Sequence, residues 1–153
     1  MAQFKLHYVE DVVLISLDHV PNDPKILAMI FTKIADAKIN IDMISQTTPY
    51  RELLSVSFTI NASDLSSIIL VVGDLKQMIP ELSTSVMPGN CKIVLIGELL
   101  KTESGIAAKL FCLIAENDLH VALITTSEVE ISALFEISEL DKAKKILREA
   151  FID

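Results

Sequence analysis

The sequence predicts an α+β protein made of two copies of one strand–helix unit, each an antiparallel sheet with helices on one face. Three observations predict it. First, the 153-residue chain repeats itself. "IFTKIADAKINIDMIS" around Phe31 returns as "LFCLIAENDLHVALIT" around Phe111. Phe31/Phe111, Ile34/Ile114, Ala35/Ala115, Ile39/Leu119, Ile41/Val121 and Ile44/Ile124 all lie 80 positions apart, which marks a duplicated supersecondary unit. Second, apolar runs of strand and of helix spacing alternate along the chain. Third, 51% of the residues are apolar, enough for one ordinary domain or two small ones of about 70 residues each.

Phe4 to Val9 reads as a strand, and Val12 to Leu17, β-branched and apolar, as another. After the turn signal "VPNDP", Leu27, Ile30, Phe31 and Ile34 share one helical face, with Thr32, Lys33 and Asp36 facing away. Pro24 suits the first helical turn, where a missing N–H costs nothing. Ile39, Ile41 and Met43 alternate with Asn40 and Asp42, which is strand spacing. Beyond a polar turn near Pro49, Leu54, Val56, Phe58 and Ile60 alternate with Ser55, Ser57 and Thr59. Ser63 or Asp64 caps a second helix, whose inner stripe is Leu65, Ile68, Ile69, Val72 and Leu75, with Leu70 and Val71 outside. Leu82, Thr84 and Val86 form a short strand before the turn "MPGN". The order is βαββαβ, a ferredoxin-like layout.

The second copy opens with a strand, Ile93 to Gly97, and a helix from about Gly105 to Asp118. A hairpin follows, Val121–Ser127 with Glu130–Ile137. The last helix starts at Ser138, with Asp141 in capping-box-like spacing and Leu140, Ala143, Leu147 and Phe151 inside. This copy is one strand short, which would leave an open edge. Phe4 to Val9 is expected to fill it. The expected domains are 11–90, and 91–153 completed by a strand at 3–9.

The formal net charge of −8 argues against nucleic acid, whose phosphates need a basic surface. Lys142, Lys144, Lys145 and Arg148 read as one wet helix face. No apolar run approaches the ~20 residues of a membrane span. Lys5, His7, Glu10 and Asp11 interrupt any signal peptide, so cytoplasm is the expected compartment. Of two cysteines, Cys91 and Cys112, Cys112 falls in an apolar helix pattern and is expected to be a buried free thiol. No metal site is expected, because His7 and His19 lack partners at ligand spacing. No cofactor motif is present, and no GxSxG elbow surrounds Ser127.

The residues carry a family likeness. "VPNDPKILAMIFTKIADAKINIDMISQT" resembles the first effector-binding repeat at the C-terminus of aspartokinases, and "GIAAKLFCLIAENDLHVALITTSEVEIS" resembles the second. "ITTSEVEIS" is the most specific stretch. Such repeats are ACT domains, small modules that bind amino acids. The resemblance implies an amino-acid-binding allosteric module, giving aspartate-pathway feedback by lysine or threonine, with no catalytic residues of its own. It also implies a homodimer, effectors held where one repeat faces the other across the dimer interface, and an aspartokinase catalytic domain or subunit as partner. The alternative is a free-standing regulator acting on a transcription factor or another metabolic enzyme. Nothing in the chain resembles the kinase portion, and no GxxxxGK[ST] run occurs. A small enzyme of acylphosphatase type would need an anion-binding arginine before a helix, whereas Arg51 falls in a hairpin turn.

A free amino acid presents an α-carboxylate, an α-ammonium and a side chain. Backbone amides at a helix N-terminus suit the carboxylate, and Asn22-Asp23-Pro24-Lys25-Ile26 and Lys101 to Ile106 both lead into one. Asp23, Asp42 and Glu128 are acceptors for the ammonium. The resemblance carries over Asn22, Asp23, Pro24, Asn40, Ile41 and Gln46 in the first repeat. In the second it carries over Ser104, Gly105, Ile106, His120, Val121, Thr126, Ser127 and Glu128. Simpler roles stay open: Asp23 as a helix cap, Asn40 as a turn residue, Glu128 as a solvated hairpin residue, His120 as a surface residue. The chain departs from the family at Lys25 and Ser104, where glycine and proline are usual, and at His120, usually asparagine. Asp42 and Glu128 favour lysine over threonine. Binding is expected to order the loops after Val20 and Gly97.

Overall fold

The computed structural model describes residues 3–153. Its elements are β1 (Lys5–Pro21), α1 (Pro24–Asp36), β2 (Ile44–Gln46), β3 (Leu53–Asn61), α2 (Leu65–Met78), β4 (Ser83–Ile96), α3 (Ile106–Glu116), β5 (Leu123–Thr126), β6 (Glu130–Glu136) and α4 (Leu140–Phe151). Short 3₁₀ turns stand at Ala62–Asp64, Glu98–Lys101 and Ile137–Glu139.

The chain divides into two compact units. A central unit is Asp11–Pro88, and a terminal unit joins the residues up to Glu10 with Gly89–Asp153. β1 and β4 are long, and each gives one stretch to either unit. The strand order is β2-β3-β1-β4 in the central unit and β1-β4-β6-β5 in the terminal one. Both are antiparallel ferredoxin-like repeats, and the opening stretch of β1 is the fourth strand of the second.

Strand alternation builds each core. In the central unit Val13, Ile15 and Leu17 face Ile60, Phe58 and Val56 across the ladder. Ile30 and Ile34 of α1 and Ile68, Val71, Val72 and Leu75 of α2 close over them. In the terminal unit Cys91, Ile93 and Leu95 pair with Phe135, Ala133 and Ile131. Ile106, Leu110 and Ile114 of α3 and Leu140, Ala143, Leu147 and Phe151 of α4 cover that face. Phe4 joins this core, its ring edge-on to Phe151 with centroids 5.5 Å apart.

Several local expectations need correction. The strands expected at Phe4–Val9 and Val12–Leu17 run together as β1, Lys5–Pro21, and those expected at 82–86 and 93–97 as β4, Ser83–Ile96. "MPGN" is no turn; Gly89 passes at φ 81 within β4. The 39–43 segment is irregular, and strand pairing begins at Ile44. Its alternation marks burial instead, since Ile39 and Met43 are inside. On α2 Ile69 is 53% exposed while Val71 is buried. The inner stripe therefore runs at i, i+3, i+4 and i+7 from Ile68. Cys112 is exposed and Cys91 is the buried thiol, because Leu110 and Ile114 set the inner face of α3 and turn Cys112 outward. Neither Asp64 nor Ser138 caps a helix with its side chain. Asn61 instead accepts the Ser63 amide at 2.9 Å, and α4 follows a 3₁₀ turn without a side-chain cap bond.

Candidate functional site

The loops before α1 and α3 enter their helices by different means. Asp23 has extended backbone, and Pro24 takes the first helical position. The Asp23 carboxylate accepts the Lys25 amide at 2.9 Å, and its carbonyl accepts those of Ile26 at 3.0 Å and Leu27 at 3.2 Å. Asp23 is thus a working cap, and the first-turn amides of α1 are satisfied within the chain. At α3 the cap position is Gly105 at φ 91, a left-handed residue with no side-chain acceptor to offer. Ser104 and Gly105 are exposed and Ile106 is buried. The dipole of α3 and its first-turn amides are therefore open to an incoming anion.

The structure sorts the remaining residues by the end of the unit at which they lie. In the central unit Pro21 pairs with Leu53, and the Asn22 amide donates to the Glu52 carbonyl at 2.9 Å. Asn22 to Ile26 therefore stand at the β2–β3 hairpin tip. Asn40, Ile41 and Asp42 lie at the opposite end, where the Asp42 amide donates to the Thr59 carbonyl at 3.0 Å. From Leu53 to Thr59 is about 20 Å at the rise of a strand. Gln46, opposite Val56, is between them.

The terminal unit repeats this division. Ile96 pairs with Glu130, and the Gly97 amide donates to the Val129 carbonyl at 2.9 Å. Thr126, Ser127 and Glu128, all exposed, form the hairpin tip beside the strand end that leads towards α3. His120 and Val121 lie at the other end, where the Ala122 amide reaches Leu134. There Glu139 accepts twice from His120, from its amide at 3.2 Å and from Nδ1 at 3.1 Å. The Nδ1 bond to Glu139, then the charges of Glu139, Asp118 and Glu136, hold the His120 imidazolium above its ordinary pKa. Burial pushes the Cys91 thiol up, so it is an inert core residue.

The raised His120 value gives a pH prediction. The clamp contributes fully below the unfolded value of about 6.5 and is lost as pH rises through the folded value. Imidazole NMR titration of the wild type should place the midpoint above 6.5, and Glu139→Gln should return it to the ordinary range. Equal midpoints would mean that the clamp does not hold the proton.

Sequence reasoning missed Thr59, Glu139 and the Tyr50–Arg51 turn. Thr59 occupies an apparently outward position of an alternating strand, yet it is fully buried. Glu139 meets His120 only through the fold, and no spacing announces it. Among the described residues no group of three or more His, Cys, Asp or Glu could hold a metal, and no helix is long and apolar enough to cross a membrane.

Two ferredoxin-like units in one chain, each with a loop entering a helix at one end of its sheet, define a class of small α+β repeat proteins. This chain belongs to the ACT-domain family: residues 13–78 and 93–151 each match the ACT domain. It is homologous to aspartokinases. The aspartokinase of Bacillus sp. (strain MGA3) is 29% identical over 144 residues, which are 94% of this chain and 35% of that protein. A crystal structure of aspartokinase alpha and beta subunits contains a chain 27% identical with a TM-score of 0.85, matching over 95% of this chain and 96% of that one. The ligand-free regulatory subunit of aspartate kinase from Thermus thermophilus is 25% identical with a TM-score of 0.82, over 95% and 96% of the two chains. The chain spans about a third of the length of the curated relatives it matches.

Proposed function

We propose that this chain is the regulatory part of an aspartokinase, binding lysine or threonine as a feedback signal and having no catalytic role of its own. The observation that carries the reading is the correspondence, over nearly the whole length of both chains, with a separate aspartate kinase regulatory subunit. Its partners are then an aspartokinase catalytic domain or subunit and a second copy of itself, in the cytoplasm.

The site chemistry supports an amino acid as ligand. The open amides of α3 suit an α-carboxylate, with Glu128 available for the ammonium. At α1 a carboxylate must displace Asp23, freeing that side chain to meet the ammonium instead. Asn22–Ile26 and Asn40–Asp42 lie at opposite ends of one unit, about 20 Å apart, farther than one amino acid reaches. A single ligand meets both groups only when a second copy of the chain brings its own, so the homodimer is part of the proposal. Two acids, Asp42 and Glu128, favour lysine. Binding biases the kinase only by its difference in affinity between two states, typically ~1–3 kcal/mol.

Thermal unfolding in the presence of each of the twenty amino acids tests this. A true effector at a hundredfold over its Kd adds about 2.7 kcal/mol, and lysine or threonine should give the largest rise. A flat response across all twenty removes the effector, and a chain monomeric at micromolar concentration removes the homodimer.

A further inference from the structure

We infer that the central unit has a second small-molecule site, between the β1 bulge and the β2–β3 turn and beside the loop into α1, which takes a free zwitterionic amino acid; this rests on the reading of the chain as an amino-acid sensor. Irregular backbone converges there. β1 and β3 are in register up to Leu17↔Val56 and resume at Val20↔Leu54. Asp18 and His19 thus both oppose Ser55, a bulge of the kind that re-aims side chains. His19 is left-handed, at φ 60. The hairpin closes through the Tyr50 amide to the Leu53 carbonyl at 2.8 Å, and the reverse bond at 3.1 Å. Arg51 and Glu52 between them sit at φ 51 and φ 63, where Asn-Gly is the usual pair. Of the three other left-handed residues besides glycine, Lys38 and Asp118 follow helix C-termini, where that conformation is ordinary, and Asp11 lies within β1. No helix end accounts for His19, and Arg51 and Glu52 fill the two left-handed positions of a tight hairpin turn without the usual Asn or Gly; strain of this kind gathers at binding sites.

Between bulge and turn lies an open groove of about 470 Å³, lined by Asp18, His19, Thr47, Thr48, Tyr50 and Arg51. That volume falls within the range of small-molecule sites. The Arg51 guanidinium lies over the Tyr50 ring, 5.2 Å from its centroid, and forms no ion pair among the described residues. The Thr47 hydroxyl is committed to the Ser55 amide at 2.9 Å. The lining therefore offers a fork for a carboxylate, the Asp18 carboxylate for an ammonium, and the Thr48 hydroxyl and His19 imidazole beside them. A bare anion would approach a chain of net charge −8 against its field, whereas a zwitterion brings no net charge. Glu52 also holds Asn22 by its carbonyl, so occupancy bears on the loop into α1.

An amide NMR titration of the whole chain with each of the twenty amino acids, and with inorganic phosphate as a bare anion, tests the site. At least one amino acid should shift the amides of 18–20 and 47–55, and phosphate should not. Arg51→Asn suits left-handed backbone better than arginine, so the turn should survive. It and Asp18→Asn should each weaken the hairpin response at least tenfold, leaving any response at the start of α3 intact. Shifts confined to the starts of α1 and α3 would overturn the second site and leave the sensor standing. A hairpin response that survives Arg51→Asn, or that phosphate reproduces, would overturn the zwitterion assignment. Silence to all twenty would overturn both.

Discussion

Phe4→Ala is expected to cost the terminal unit about 3–5 kcal/mol, the usual range for removing a core aromatic ring. Phe4 is 8% exposed, meets Phe151 edge-on, and comes from a stretch of chain remote in sequence from the core it completes. It also explains a glycine. A Cβ on Gly97 would fall 2.5 Å from the Phe4 ring and 2.9 Å from the Gln3 carbonyl oxygen. Gly97 has φ −177, ordinary extended backbone, so space alone requires glycine there. Gly97→Ala should then cost about 1–3 kcal/mol by overpacking. With Phe4 already truncated, much of that clash disappears, and the double variant should fall short of the sum of the two losses. Denaturant unfolding of the four proteins gives the comparison. Strict additivity would mean that Phe4 does not lie over Gly97 in solution, and a Phe4→Ala loss below about 1 kcal/mol would make the opening stretch of β1 an accessory.

Legibility followed the kind of physical signal. The 80-residue offset and the alternation in Val56, Phe58 and Ile60 made the duplicated α+β layout readable, because burial imposes period two on strands wherever they occur. The missing edge strand was readable too, since a sheet with an open edge needs a partner. What could not be read was continuity. Nothing in Glu10-Asp11 or Pro88-Gly89 says that the backbone runs on as strand, because polar residues and glycine serve turns and long twisted strands alike. Ile69 and Val71 have equal hydrophobicity, and only the phase of α2 decides between them. At the site, Asp23 and Gly105 were legible as helix-start residues through their local chemistry. That Asp23 already occupies the α1 amides, and that His120 is clamped by Glu139, depends on contacts set by the tertiary fold.

Thr59→Ala is expected to cost about 2–4 kcal/mol and to loosen the segment that carries Asn40, Ile41 and Asp42. Thr59 is fully buried on β3. Its Oγ1 accepts the Met43 amide at 3.0 Å, its own amide donates to the Met43 carbonyl at 3.0 Å, and its carbonyl accepts the Asp42 amide at 3.0 Å. One residue therefore ties down the whole approach to β2. Alanine keeps the two backbone bonds and removes the third, leaving the amide of buried Met43 unpaired at about 1–3 kcal/mol. The lost methyl adds about 1 kcal/mol. Thr59→Ser retains the acceptor and should lose only that last part, so the gap between the variants isolates the hydroxyl. Amide exchange at Asp42 and Met43 should accelerate in the alanine variant and stay slow in the serine one. Where Asn40–Asp42 contribute to effector binding, a loss of about 1.4 kcal/mol in holding them corresponds to tenfold weaker affinity. Equal stability and equal exchange in the two variants would show that the hydroxyl does not fix the segment, and the ordered approach to β2 would need another cause.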